Sequence, residues 1–480
     1  MNRREMLLGG SALIMIDRLA PQTPRTKFTA LSGRPAVSDR NFRSPVIERT
    51  IETISKEIAD PRLRQIFQNC FPNTLDTTVY PTDRDGKPDT YVITGDIDAM
   101  WLRDSSAQVW PYLPFAQDDP ELARLIEGVI RRHARLIQID PYANAFMKSA
   151  SDPPLPWAVH DKTEMRPGVG ERKWEIDSLC FPVRLAHGFW KATGSKSAFD
   201  EVWFESAKRI VATFREQQRF HSAGPYKFQR STLRATATLA LDGYGNPVHP
   251  NGLICSAFRP SDDACMYLFF LPANLFAART LERIGEISDR VYNDKAFADQ
   301  CRQFANEVRN AVLRYGPIKH STKETILAYE IDGYGSMLLM DDANAPGLVS
   351  LSYLELLPQA DPLYTDSRSF ALSDANPYFF RGSAGEGIGG PHVGLDYIWP
   401  MSIVMRGLTS TSDREIAACL QTLCTTTADT NFMHESFHKD DPTRYTRPWF
   451  AWANGLFGEL VLKLHKERTQ TLRQWAPTNA

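Results

Sequence analysis

The sequence predicts a mainly α-helical protein, a single toroid of amphipathic helices with short hairpins in its loops. Three observations carry that prediction. Apolar residues recur at helical spacing in several separate stretches, period-two strand patterns are scarce, and no shift in composition after residue 45 marks a domain boundary. Nothing in the chain alternates strand with helix as a parallel sheet would require, and 480 residues suffice for one large helical body.

Taken in order, the chain opens with Arg3 and Arg4 ahead of a short apolar run from Gly9 to Ile16. This segment, residues 1–20, resembles a twin-arginine export signal and predicts an exported, periplasmic protein, with a cytoplasmic one as the alternative. The run is too short to persist as an anchor, so no membrane span is expected in the mature protein. Residues 21–44 are polar, Pro-rich and non-periodic and read as a linker, and 45–480 read as one domain.

Within that domain Leu122, Leu125, Ile126, Val129, Ile130, Leu136 and Ile137 form one helical stripe. A second runs through Phe199, Val202, Trp203, Ala207, Ile210, Val211 and Phe214, and a third through Phe297, Cys301, Phe304, Val308 and Val312. Ser412 and Glu415 make a capping box ahead of Ile416, Leu420, Leu423 and Cys424. Leu456, Phe457, Leu460, Val461 and Leu464 supply a late helix after Gly455. One turn signal occurs twice, as Asp242-Gly243-Tyr244-Gly245 and Asp332-Gly333-Tyr334-Gly335, and each copy predicts a short hairpin.

Composition excludes some functions. A net charge of -2 with no Lys/Arg-rich run argues against nucleic acid as a partner. The seven cysteines form no C-x-x-C, which leaves neither a zinc knuckle nor a thioredoxin-type redox motif; several fall on apolar stripes as small buried hydrophobes.

The polar residues gather in six blocks between helices. These are Thr94 to Gln108 (TGDIDAMWLRDSSAQ), Trp174 to Ser178 (WEIDS), Phe258 to Cys265 (FRPSDDAC), Leu339 to Asn344 (LMDDAN), Gly387 to Pro400 (GIGGPHVGLDYIWP), and His434-Glu435 with Arg444, Arg447, Trp449 and Trp452 after it. A single Asp more often caps a helix or pairs with Arg, and a single Trp more often packs in a core. Here carboxylates, arginines and Trp101, Trp174, Trp399, Trp449 and Trp452 recur together. Glycoside hydrolysis requires this mixture: one carboxylic acid protonates the departing oxygen, a second carboxylate activates water or attacks the anomeric carbon, and flat apolar faces pack on the sugar ring.

Two string matches compete with that chemistry. Gly385 to Gly390 fits G-x-G-x-x-G, but Pro391, Gly394 and Pro400 follow closely where a dinucleotide site needs a helix to open. His434-Glu435-Ser436-Phe437-His438 fits the zinc-binding H-E-x-x-H, which requires both histidines on one stable helix and a third ligand. Pro442 disfavours helix at Asp441, and the third His of the longer motif would fall at Arg444. The non-metal reading is preferred, and a zinc-dependent hydrolase built on 434–438 is the alternative.

Together the segments D-I-D-A-M-W-L-R-D-S, W-E-I-D-S, F-R-P-S-D-D, G-G-P-H-V-G-L-D-Y-I-W-P and H-E-S-F-H-K-D-D, spread from Asp96 to Trp452, resemble glycoside hydrolase family 125. The resemblance implies an (α/α)6 barrel, so that 45–480 would be a single catalytic domain. It implies removal of terminal, non-reducing α-1,6-linked mannose with inversion and with no metal or other cofactor. The partners would be α-1,6-linked mannosides of N-glycan or mannan origin. Carried onto this chain, the general acid falls on Asp262, with Asp263 as its rival, and the general base on Glu435. Asp262 would stay protonated, and the two carboxyls would stand ~6.5–9.5 Å apart to admit a water. Arg259 would lower the pKa of a neighbouring carboxyl, which suits a substrate or structural role. Asp96, Trp101, Arg103, Asp104, Trp174, Glu175, His392 and Asp396, with Asp263, are the candidates for holding mannose hydroxyls. A non-catalytic mannoside-binding protein that kept the pocket is the further alternative.

Overall fold

The structure is a computed structural model that describes residues 33–321 and 323–477. The export-signal reading of 1–20 and the first part of the expected linker lie outside the described residues. The last part of that linker is docked: the Arg34 guanidinium forks onto Asp76 at 2.7 Å and Glu48 at 2.6 Å.

The body is helical. The helices are α1 (Pro45–Glu57), α2 (Pro61–Cys70), α3 (Asn73–Thr77), α4 (Leu102–Val109), α5 (Pro120–Ile139), α6 (Ile176–Thr193) and α7 (Glu201–Glu216). They continue with α8 (Leu271–Arg290), α9 (Lys295–Tyr315), α10 (Pro362–Ala371), α11 (Pro400–Leu408), α12 (Asp413–Thr425), α13 (Ala451–Glu467) and α14 (Thr469–Gln474). The three apolar stripes fall on α5, α7 and α9 and are largely buried, except that Phe199 precedes α7 and Val202 is exposed. Ser412 caps α12 by accepting from the Glu415 amide.

Helix starts divide into two kinds. A Ser or Asp side chain accepts an amide hydrogen at the N-terminus of α1, α2, α5, α7, α9, α10 and α12. Each such cap contributes about 1 kcal/mol. By contrast α4, α6, α8, α11 and α13 begin at Trp101, Glu175, Phe270, Trp399 and Phe450 without a side-chain cap. These uncapped helices pack on one another, α13 on α4, α4 on α6, α6 on α8, and α11 on α13, while α5, α7, α9 and α12 pack outside them. Local capping is given up where the chain delivers its polar blocks.

Short antiparallel sheets brace those deliveries. Met100–Trp101, Ala145–Phe146 and Val169–Glu171 form one, and Tyr397–Ile398, Phe437–His438 and Asp441–Tyr445 another. The second turn signal forms its hairpin, with Ile331 opposite Met337. The first does not: Leu241–Gly243 is a 3-10 turn, with Leu241 and Asp242 in the left-handed region, and it docks on Phe228. The late helix starts at Ala451, ahead of Gly455. The glycine-rich string is a strand, Glu386–Ile388 paired with Phe379–Arg381. Its Gly389 is there for close approach, because a Cβ would collide with the Tyr397 carbonyl oxygen. Among the described residues no helix is long and apolar enough to cross a membrane.

Candidate active site

A cavity of about 490 Å³ opens over the starts of α4, α11 and α13. Of the residues anticipated from the sequence, Trp101, Arg103, Asp104, Asp262, Asp263, His392 and Glu435 line it. Blocks far apart in the chain therefore meet.

Glu435 sits two residues ahead of the strand Phe437–His438. Thr446 Oγ1 donates to its Oε2 at 2.7 Å, and Arg447 Nη1 stands 3.4 Å from its Oε1. Arg447 also bonds Asp96 and donates to the Thr94 carbonyl at 3.1 Å. The guanidinium is thus fixed between two carboxylates, and it keeps a cation against Glu435. A carboxylate has about four acceptor positions, so this one keeps room for a water.

Asp262 lies in the loop before α8 with φ +66, a left-handed conformation that Asp tolerates better than most side chains. Its amide donates to the Arg259 carbonyl at 2.9 Å, its Oδ1 accepts from Asn144 Nδ2 at 3.2 Å, and Lys173 Nζ donates to its main-chain oxygen at 2.8 Å. Against the upward push of burial, Lys173, Arg103 and His392 hold the Asp262 carboxyl down to about 2. Glu175 behind it is pushed well up by burial and by the charge of Asp262. Lys173, Arg103 and His392 thus favour the ionised form of Asp262, where the expectation was a protonated one.

Arg103 organises the floor. Its Nη1 donates to Glu175 Oε2 at 2.5 Å and to Asp177 Oδ2 at 3.1 Å, and its Nε stands 3.4 Å from Asp104 Oδ2. Burial raises Asp104, and it raises Asp177 to about 6. His392 Nδ1 stands 3.7 Å from Asp263 Oδ1, and that carboxylate raises the imidazole pKa despite burial.

Other anticipated residues are elsewhere. Trp174 is fully buried, its Nε1 donating to the Cys255 carbonyl at 2.7 Å and its ring edge-on to Tyr142, so it packs the core and holds no sugar. Glu175 is fully buried and behind the lining. Arg259 is spent on Glu330 at 2.6 Å, a structural pair. Asp396 faces outward and pairs with Lys439 at 2.8 Å, and Asp96 acts through Arg447. Trp399 and Trp452 do line the cavity, while Trp449 lines a separate one of about 330 Å³.

The lining also includes Asn344 of the fourth block, and Trp157, Glu171, Lys173, Arg230 and Arg234 from outside the six blocks. Trp157 Nε1 and Arg230 Nη2 both donate to Glu171 Oε1, at 3.0 and 2.8 Å. Lys173 directly precedes the WEIDS block, and that adjacency was the available signal.

The zinc alternative fails on geometry. His434 to His438 is not helical; Phe437–His438 is a strand paired with Tyr397–Ile398. The His434 ring stacks on Tyr445 at 4.0 Å and its Nδ1 donates to the Pro448 carbonyl at 2.9 Å, while His438 Nδ1 accepts from the Asp440 amide. Among the described residues no group of three or more His, Cys, Asp or Glu is placed to hold a metal ion.

Two carboxyls in one aromatic-walled cavity over helix starts suit glycoside hydrolysis. Residues 60–462 match the family described as metal-independent alpha-mannosidase (GH125), and the chain belongs to it. It is 40% identical over 466 residues to the meiotically up-regulated gene 157 protein of Schizosaccharomyces pombe, covering 92% of this chain and 90% of that one. Among solved structures it is similar to a metal-independent alpha mannosidase of Streptococcus pneumoniae in a non-productive substrate complex with alpha-1,6-mannobiose. That match has a TM-score of 0.85 and 37% identity and covers 89% of this chain and 100% of that one. A bacterial glucoamylase complexed with acarbose shares the fold alone, at TM-score 0.54 and 10% identity over 85% of this chain and 57% of that one.

Proposed function

We propose that this α-mannosidase is an inverting, exo-acting enzyme that removes terminal α-1,6-linked mannose without a metal, with Glu435 as general base and Asp262 as general acid. The observation that carries the reading is that these two carboxyls, from loops distant in sequence, line one cavity. Arg447 and Thr446 hold Glu435 as an acceptor for a water proton, while Asp262 neighbours Glu175, a carboxyl whose pKa burial pushes up. The alpha-1,6-mannobiose held by the Streptococcus pneumoniae relative supports that linkage for this chain. The α4, α6, α8, α11 and α13 contacts fit the inner ring of an (α/α)6 barrel. The Arg3-Arg4 segment fits export, and loss of periplasmic protein on replacing both with lysine would support that address.

The chemistry follows from the geometry. Glu435 takes a proton from water as its oxygen attacks C1, the bond to the leaving oxygen breaks, and the Asp262 side supplies that oxygen with a proton. NMR of the first-formed anomer from α-1,6-mannobiose, with a chelator present, tests linkage, stereochemistry and metal independence at once. First-formed β-mannose is expected; α-mannose, or activity lost to the chelator, sinks the reading.

A further inference from the structure

Glu175 lies behind the cavity, and its hydrogen bonds leave one of its oxygens unaccounted for. Its Oε2 accepts from Arg103 Nη1 at 2.5 Å and from Ser178 Oγ at 2.8 Å. Its Oε1 is buried with no N–H or O–H donor on it, and the carboxyl that interacts with the Glu175 side chain is that of Asp262. A fully buried carboxylate does not remain in contact with a second one unless a proton lies between them. The surrounding charges agree. Asp104 and Asp177 also crowd Arg103, Asp263 adjoins Asp262, and against these carboxyls stand Arg103, Lys173 and the His392 imidazole.

We propose that Glu175 is a positioning residue that shares one proton with Asp262, and that this proton is the one the departing glycosidic oxygen takes. The proposal rests on the reading of Asp262 as the acid. As the C1–O bond breaks, its electron pair stays on the leaving oxygen, which receives the shared proton. Glu175 is left as a carboxylate against Arg103 and Ser178, and Asp262 as one beside Lys173. Water meanwhile gives a proton to Glu435 and its oxygen to C1. Solvent then returns one proton to the carboxyl pair and removes one from Glu435, so the cycle balances.

Two substrates that differ in leaving group test this. The sugar alkoxide of α-1,6-mannobiose must be protonated to leave, whereas the fluoride of α-mannosyl fluoride needs far less help. In Glu175→Gln, kcat/KM on mannobiose is expected to fall ~100-fold or more, the range of a lost general acid. The loss on the fluoride should be at least about tenfold smaller, and the basic limb of the mannobiose pH profile should move down. Equal losses on both substrates with an unmoved basic limb indicate a merely structural role and overturn the proposal. Asp262→Asn separates the two assignments. Leaving-group dependence in that variant but not in Glu175→Gln removes the proton sharing alone; its absence in both removes Asp262 as the acid. Should Glu175→Gln fail to fold, the infrared difference between wild type and Asp262→Asn at neutral pH decides. A protonated-carboxyl band lost in the variant is expected, and no such band overturns the sharing.

Discussion

The Thr446 hydroxyl donates to Glu435 Oε2 at 2.7 Å, from the residue that follows the strand Asp441–Tyr445. Together with Arg447 on Oε1 this bond fixes the carboxylate plane, so the free acceptor positions point where a water can be held. Glu435→Gln keeps the size and removes the basicity. Its kcat on α-1,6-mannobiose is expected to fall about 10³-fold while calorimetry still detects binding. Thr446→Val loosens the plane only, and about a tenfold drop in kcat with little change in KM is expected. Turnover near wild type in Glu435→Gln would falsify the base assignment.

The two histidines of H-E-x-x-H divide their work locally. His438 accepts from the Asp440 amide at the turn of its hairpin, and His434 stacks on Tyr445. His438→Ala is therefore expected to keep kcat within a few fold, as a surface hairpin change does. Elemental analysis of wild type and variant should give no stoichiometric zinc. A variant that lost both activity and bound zinc would restore the metallohydrolase reading.

Trp174 and Trp101 looked alike in the sequence, each in a polar block, yet one is core and one lines the cavity. Helices were legible wherever an apolar stripe ran long enough, as on α5, α7 and α9, because burial of one helix face shows directly in residue spacing. The blocks were legible too, since carboxylates and arginines in apolar company stand out. Which face of a block meets the cavity was not, because tertiary partners decide it. Glu175 faces Arg103, Arg259 faces Glu330, and Asp396 faces Lys439, pairs set by packing across long sequence separations. Trp157 and Arg230 reach the site through the single acceptor Glu171, a convergence that no local pattern announces.

If Trp174 is a core residue, its replacement should cost stability and spare substrate affinity. Trp174→Phe removes the donor to the Cys255 carbonyl and leaves that buried acceptor unpaired, together with a gap beside Tyr142. A loss of about 2–4 kcal/mol in urea unfolding is expected, with KM for mannobiose unchanged at a temperature where the variant stays folded. A raised KM at unchanged stability would return Trp174 to the sugar site.

The fold also carries an acid-sensitive group away from the chemistry. His133 of α5 is fully buried, its Nε2 2.8 Å from Ser105 Oγ of α4 and its Nδ1 without a partner. Burial, with Arg132 adding to it, lowers its pKa from 6.5 to about 3. The unfolded chain therefore binds a proton between those values that the folded one refuses. The contribution to stability is complete above pH 6.5 and is lost as pH falls towards 3, on the order of 5 kcal/mol in all. The raised carboxyls Glu175 and Asp177 act in the opposite sense, their contribution fading as pH rises, so the measurement must be a difference between variant and parent. His133→Gln keeps a partner for Ser105 and cannot titrate. Its unfolding free energy should fall less than that of wild type between pH 7 and pH 4.5, and parallel curves would mean that the imidazole is protonated in the folded state.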